Sequence, residues 1–260
     1  MLAERYDAFL FDLDGVLYRG EAPVPFAAES LARLRTSAVG IAFVTNNSSA
    51  TPESVAQRLG AVGIAADPAE IETSALATAG SLAARGIDSA YVIGEQGIRI
   101  ALAAAGIELT EGEADADAVV VGFDRRVTYD ALRIAAILVQ RGAALVATNA
   151  DASFPAADGR DWPGAGALVA AIETTTGIDA EVVGKPNAPI LRAALARAGG
   201  GAPLVVGDRL DTDIAGAQGL GWDSLLVLTG ISARSDLIGS PFTPTHVAED
   251  LRGLFAPDRG

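Results

Sequence analysis

Cysteine is absent from the 260 residues, which excludes a disulfide framework, a thiolate metal site and a cysteine nucleophile. Basic residues are scarce, with 19 Lys and Arg against 33 Asp and Glu and a formal net charge of −14. No Lys/Arg cluster of the kind that tracks a phosphate backbone is present, so nucleic acid and an anionic membrane are poor partners for this surface. No uninterrupted apolar run approaches the roughly 18 residues that span a bilayer. The opening MLAERYDAFLF carries charges where a signal peptide needs an apolar core, and a soluble, cytoplasmic protein is the expectation. Repeats, low-complexity tracts and long linkers are also missing. What remains is a globular composition, 50% hydrophobic and 20% charged, able to bury a large core.

Short continuous runs rich in Val, Ile, Leu and Phe recur at 8–11, 41–45, 90–94, 118–123, 144–148, 180–184, 203–208 and 224–228. Runs too continuous to alternate read as strands buried on both faces. Helical patterns lie between them. One starts at Thr51-Pro52-Glu53 and stops at Gly63; another runs from Thr128 to Gly142. Alternation of strand and helix predicts an α/β protein with doubly wound, Rossmann-like parallel sheets.

Ligands of open parallel sheets bind beyond the carboxyl ends of the strands, so the residue closing each run is the one to inspect. The chain FLFDLDGVLYRG closes its run with Asp12 and Asp14 and turns on Gly15. Other runs close with Thr45-Asn46-Asn47, with Gly184-Lys185-Pro186 and with Gly207-Asp208. These endings form two blocks, 12–47 and 185–213, separated by more than a hundred residues with their own strands and helices. One catalytic sheet interrupted by a second domain is the simplest account; a single eight-stranded sheet is the alternative. The expected division is a core of 1–73 and 180–260 and an inserted α/β cap of 74–179, entered through ETSA (72–75), where Thr73 or Ser74 caps the next helix.

DLDGV at 12–16, Thr45, Lys185 and GDRLDTD at 207–213, in this order, resemble the four motifs of the haloacid dehalogenase superfamily of phosphotransferases. FVTNNSS (43–49), VVGKP (182–186) and GDRLDTDIAGA (207–217) resemble its nitrophenylphosphatase-like branch, subfamily IIA, which carries an α/β cap between the second and third motifs. Val16 departs from the threonine often found there, which reads as a branch feature. The resemblance spans essentially the whole chain and implies a phosphatase of small phosphorylated metabolites that uses Mg²⁺.

The chemistry requires such residues. A carboxylate about 4 Å from a phosphomonoester dianion is repelled by roughly 8 kcal/mol at an effective dielectric near 20. A divalent cation and a lysine supply the opposing charge. By the resemblance, Asp12 is the nucleophile that becomes an aspartyl-phosphate and also ligates the metal. Asp14 is the acid and base, with its backbone carbonyl on the metal. Thr45, with Asn46 and Asn47, holds phosphoryl oxygens, and Lys185 neutralises the transferring group. Asp208 is a metal ligand, and Asp213 either supports the metal or caps the helix that begins beside it. The loop 147–162 offers Asn149 and Asp151 as substrate-side residues, or as turn formers. His246 reads as a surface residue and Trp222 as core.

A dehalogenase would lack the second aspartate, which Asp14 supplies. A phosphomutase would keep all four motifs, and a non-catalytic binder of phosphorylated metabolites would bind without turnover. A dinucleotide enzyme would need G-x-G-x-x-G where the chain reads DLDGVLYRG. Glycerol phosphate, phosphoglycolate, pyridoxal phosphate and nucleotide monophosphates are the substrates the branch implies, with GDRLDTDI leaning to the first. Homo-oligomerisation is left open.

Overall fold

Ala8–Phe11 has no polar face to show to water, and all four residues are buried in strand β1 (Ala8–Phe11). The chain continues through β2 (Tyr18–Arg19), β3 (Ala22–Pro23), α1 (Ala27–Leu34), β4 (Gly40–Thr45), α2 (Pro52–Ala61) and β5 (Ile71–Thr73). Next come α3 (Ser74–Ala84), β6 (Ser89–Ile93), α4 (Gln96–Ala104), β7 (Glu108–Thr110), β8 (Ala118–Val121), α5 (Tyr129–Gln140) and β9 (Ala144–Ala147). After them run the hairpin strands β10 (Ser153–Pro155) and β11 (Asp161–Pro163), then α6 (Ala165–Thr176) and β12 (Glu181–Val182). The last part holds α7 (Ala188–Arg197), β13 (Pro203–Gly207), α8 (Ala215–Leu220), β14 (Asp223–Val227) and β15 (His246–Ala248). This computed structural model describes residues 1–155 and 160–257; part of the loop 147–162 read as substrate-facing therefore lies outside the described residues.

The chain divides into two units. The first comprises Met1–Thr45, Pro52–Glu72 and the chain from Lys185 onward. Its sheet has the order β15-β14-β13-β1-β4-β5, and β1 is parallel to both β4 and β13. Counted within the sheet from the β5 edge, that is 3-2-1-4-5-6, the doubly wound order whose switch point falls between β1 and β13. Phe9, Phe11 and Phe43 pack along its centre with ring centroids 6.2 and 6.4 Å apart, and burial of each ring stabilises the unit by roughly 1.5–3 kcal/mol.

The second unit comprises Asn46–Thr51 and Thr73–Gly184. Its sheet order is β12-β9-β8-β6-β7, which counted from β7 is 2-1-3-4-5, also doubly wound, with its switch point between β6 and β8. Val119, Val121, Leu138, Leu145, Val169 and Ile172 belong to its core. Thr73 Oγ1 accepts from Leu76 N at the start of α3, and Thr128 Oγ1 accepts from Ala131 N at the start of α5. Both caps satisfy amides that a helix start leaves unpaired. Among the described residues no helix is long and apolar enough to cross a membrane.

The separate six- and five-stranded sheets fit the interrupted-sheet account rather than the eight-stranded alternative. Four details depart from the sequence reading. Residues 46–51, expected in the core, belong to the second unit. The run at 180–184 belongs to the second unit, because Glu181 and Val182 pair in parallel with Val146 and Ala147. His246 lies in β15, half-buried, with Nε2 3.1 Å from Tyr6 Oη. Trp222 is half-buried beside the Gly221 turn rather than in the core.

The segment 46–51 is part of the second unit because it fills that unit's switch point. Gly97 N donates to Ser49 O (3.1 Å) at the start of α4, and Phe123 N donates to Ser48 Oγ (3.4 Å). A Cβ on Gly97 would lie 2.5 Å from Ser48 O and 2.7 Å from Ala50 O, both backbone atoms that cannot swing away. Gly97→Ala is expected to cost about 1–3 kcal/mol in urea unfolding. Gly80→Ala in α3, where nothing lies within 4 Å of the added carbon, is expected to gain about 0.5–1 kcal/mol. Equal effects of the two substitutions would contradict the close seat.

Candidate active site

Asp12 and Asp208 follow the two strands that flank the first unit's switch point, β1 and β13. Asp12 N donates to Val206 O at 2.8 Å, carrying the β1–β13 ladder one residue past Phe11. Asp208 is buried; its Oδ2 accepts from Ile231 N at 2.6 Å, while its Oδ1 is buried with no hydrogen-bond partner among the described residues. Glycines make room for this carboxylate. A Cβ on Gly15, whose φ is +82°, would lie 2.4 Å from Asp208 Oδ2, and one on Gly230 would come closer still.

Lys185 opens the return of the chain to the first unit and is 5% exposed. Its ammonium donates to Asp12 Oδ1 at 2.5 Å and to Asp213 Oδ1 at 2.7 Å. Asp213 stands in the wide helical turn Leu210–Ile214 ahead of α8, and its Oδ2 accepts from Arg209 N at 3.2 Å. It thus ties down its own turn and faces the lysine; it does not cap α8, whose first turn has no side-chain cap. One carboxylate oxygen each from Asp12, Asp208 and Asp213 lies within 4.8 Å of the others. The side chain of Asp14 is not in that group.

Burial dominates the electrostatics. It pushes the Asp12 carboxyl well above the usual range, with Asp213 and Asp208 adding to the effect and Lys185 opposing it. Burial and Asp213 push Asp208 up to about 6, against the Ile231 amide and Lys185. Burial alone would lower the Lys185 pKa, yet Asp12 and Asp213 outweigh it and raise it above the ordinary lysine value. Three acids share one ammonium, so the cluster is short of positive charge.

The other expected residues fall in two places. Thr45 ends β4 in the first unit and is buried. Asn46, Asn47, Asn149 and Asp151 all belong to the second unit or its 46–51 segment. Asn149 Nδ2 donates to Asn46 O (2.8 Å), Asn46 Nδ2 to Asp151 Oδ2 (3.3 Å), and Asp151 N to Asn149 Oδ1 (3.1 Å). Asn47 Oδ1 accepts from both the amide and the hydroxyl of Ser49. The sequence missed Thr229, whose hydroxyl donates to Gly15 O at 2.7 Å, and Gly230 against Asp208. Both follow β14, so inspecting two residues beyond that apolar run would have found them.

A doubly wound core with an α/β insertion and an acid-lysine cluster at its switch point defines a hydrolase of the phosphoryl-transfer type. Residues 9–108 match the family described as haloacid dehalogenase-like hydrolase, and residues 182–254 one described as HAD-hydrolase-like. The chain is 38% identical to the 5'-nucleotidase YutF of Bacillus subtilis over 95% of this chain and 96% of that protein. It is 37% identical to an acid sugar phosphatase of Staphylococcus epidermidis over 97% and 98% of the two chains. The structure of the glycerol phosphate phosphatase Rv1692 of Mycobacterium tuberculosis in complex with magnesium superposes with a TM-score of 0.92 at 36% identity, covering 100% of this chain and 82% of that one. The chain belongs to the haloacid dehalogenase-like hydrolases, in the nitrophenylphosphatase-like subfamily IIA.

Removing the lysine would leave buried carboxylates uncompensated. Lys185→Met is expected to cost about 3–5 kcal/mol in urea unfolding at pH 8. The loss should shrink as pH falls through about 6, where Asp208 takes up a proton; burial raises Asp12 in the same direction. A loss independent of pH would show that packing, not charge, is what Lys185 contributes.

Proposed function

We propose that the protein is a Mg²⁺-dependent phosphatase that hydrolyses small phosphomonoesters through a phosphorylated Asp12. The observation that carries this reading is the Asp12–Lys185–Asp213 chain beside Asp208, a nucleophile with its counter-charge built into the fold. The three relatives are named for a nucleotide, a sugar and a glycerol phosphate. The phosphoryl group is what those names share, which supports a phosphomonoester as the substrate class. Glycerol phosphate heads the substrates to be tried.

An oxygen of Asp12 attacks phosphorus, and the bond to the alcohol oxygen breaks as Asp14 gives that oxygen its proton. Asp14, now ionised, takes a proton from the water that attacks the phosphorylated Asp12. The bond from phosphorus to Asp12 breaks and inorganic phosphate leaves. Lys185 balances charge on the nucleophile and the transferring group, and Thr45 is the hydroxyl assigned to a phosphoryl oxygen. Asn46, Asn47, Asn149 and Asp151 are the proposed substrate-side polar groups, although Asn47 Oδ1 is engaged by Ser49 within its own loop.

The residues fit a Mg²⁺ ion. Asp12, Asp208 and Asp213 offer the hard oxygen donors it takes, and Asp208 Oδ1 is a buried acceptor with no hydrogen-bond partner among the described residues. When bound, the cation adds positive charge against the phosphoryl oxygens.

Phosphate release from a panel of phosphomonoesters should require Mg²⁺, stop with chelator and be abolished in Asp12→Asn; turnover retained by that variant would sink the aspartyl route. A second expectation concerns pH. Without a cation, folded Asp208 holds its proton up to about pH 6, whereas an ordinary aspartate releases it near 3.8. Between those values the folded state binds more protons than the unfolded one, so stability falls as pH rises and the loss is complete above about 6. Mg²⁺ takes the ionised carboxylates, so it should raise Tm more at pH 8 than at pH 5. A Tm shift equal at both pH values would argue against binding by these groups.

A further inference from the structure

Arg58 belongs to none of the four motifs, yet it faces one of them. It stands on α2, its Nη2 donates to Gly20 O at 2.8 Å, and its guanidinium carbon lies 4.1 Å from the centroid of the Tyr18 ring. The same Nη2 is 3.8 Å from Asp14 Oδ1. All of these residues belong to the first unit.

The backbone around Asp14 is fixed from two sides. Gly15 N donates to Tyr18 O at 2.8 Å, and Asp14 and Tyr18 form an isolated parallel bridge. On the other side Thr229 Oγ1 donates to Gly15 O. Tyr18 is itself 2% exposed, so the ring under the guanidinium is part of the packed core. The Asp14 side chain, by contrast, is 63% exposed and accepts no hydrogen bond from the described residues. A short acidic side chain on a fixed backbone chooses among three staggered orientations. Arg58 is the one cation among the described residues within 4 Å of it.

An exposed ion pair usually does little because both side chains must be ordered to make it. Here the arginine is ordered already. The Gly20 carbonyl and the Tyr18 face hold the guanidinium without help from Asp14, using the planar fork and the ring-stacking that lysine lacks. A charge held in place by other groups can orient a mobile partner.

We propose that Arg58 is a positioning residue that sets the orientation of the Asp14 carboxyl for proton transfer to the leaving oxygen and from the attacking water. The inference rests on the reading of Asp14 as acid and base, and it adds α2 to the elements that shape the site. Arg58 itself touches no reacting atom.

The test compares leaving groups. An alkyl phosphate such as glycerol phosphate releases an alkoxide that needs a proton, whereas 4-nitrophenyl phosphate releases a stable anion that does not. Wild type, Arg58→Ala, Arg58→Lys and Asp14→Asn are assayed on both, or on the best alkyl ester of the panel if glycerol phosphate is not a substrate. Arg58→Ala is expected to lose about 10-fold or more in kcat/KM on the alkyl ester while staying within about twofold on the aryl ester. Slowed breakdown of phosphorylated Asp12 should then show as a burst of nitrophenolate. Arg58→Lys should fall between, and it carries the same comparison if Arg58→Ala does not fold. Equal losses on both esters, no loss on either, or a higher KM with kcat unchanged would each overturn the proposal. If Asp14→Asn shows the leaving-group asymmetry and the Arg58 variants do not, Arg58 alone has been misread. If Asp14→Asn lacks it, the acid role of Asp14 falls and this inference with it; a wild type silent on every ester removes both.

Discussion

The Lys185 ammonium between Asp12 and Asp213 is the interaction on which the site depends. Three carboxylates meet at the end of a buried sheet, where each pair repels the more strongly because little water is present to screen it. One buried cation offsets part of this charge, and the deficit that remains matches what a divalent ion supplies. A phosphomonoester brings further negative charge, which these carboxylates repel unless a cation is bound among them. A site that its own lysine leaves short of positive charge is already suited to a divalent cation.

The topology explains why these residues meet. The first unit has its switch point between β1 and β13, so the chain leaves those strands in opposite directions and opens a crevice there. Asp12 and Asp208 stand on its two walls. The space between them is kept by residues without side chains, Gly15 and Gly230, and Gly207 leaves room for the carboxylate of Asp213 in the same way. Aspartates alone do not make the cluster; the glycines opposite them decide whether the carboxylates can be buried at all.

Much of this was legible in the sequence because continuous apolar runs announce parallel strands, and polar residues at their ends announce the site. Asp12, Lys185 and Asp208 come together as their positions at the ends of apolar runs suggested, and Asp213 joins them from the turn ahead of α8. The short strands β5, β7 and β15 were not legible, since three residues carry no periodicity. The run at 180–184 looked like its neighbours in composition, and only its pairing with β9 assigns it to the second sheet. Arg58 was invisible for another reason. Its neighbours Tyr18 and Gly20 are about forty residues away in the chain, and nothing in a helical Q-R-L sequence marks an arginine that folds back over an aromatic ring. His246 looked like a tail residue because the tyrosine that meets it lies at the far end of the sequence.

The seating of residues 46–51 in the second unit bears on the order in which the protein can be made. Everything that unit contains, the borrowed segment included, has been translated once Gly184 leaves the ribosome. The first unit at that moment still lacks β13, β14 and β15, and β1 has only one of its two neighbours. Domains fold as units as soon as their residues are available, so the inserted unit can close first although it interrupts the other. The loop that follows Thr45 is then held by its glycine seat before the strands carrying Asp208 and the turn carrying Asp213 exist. Synthesis thus sets one of the four motif-bearing loops in a finished scaffold, and the nascent chain meets its remaining acids one at a time rather than all at once.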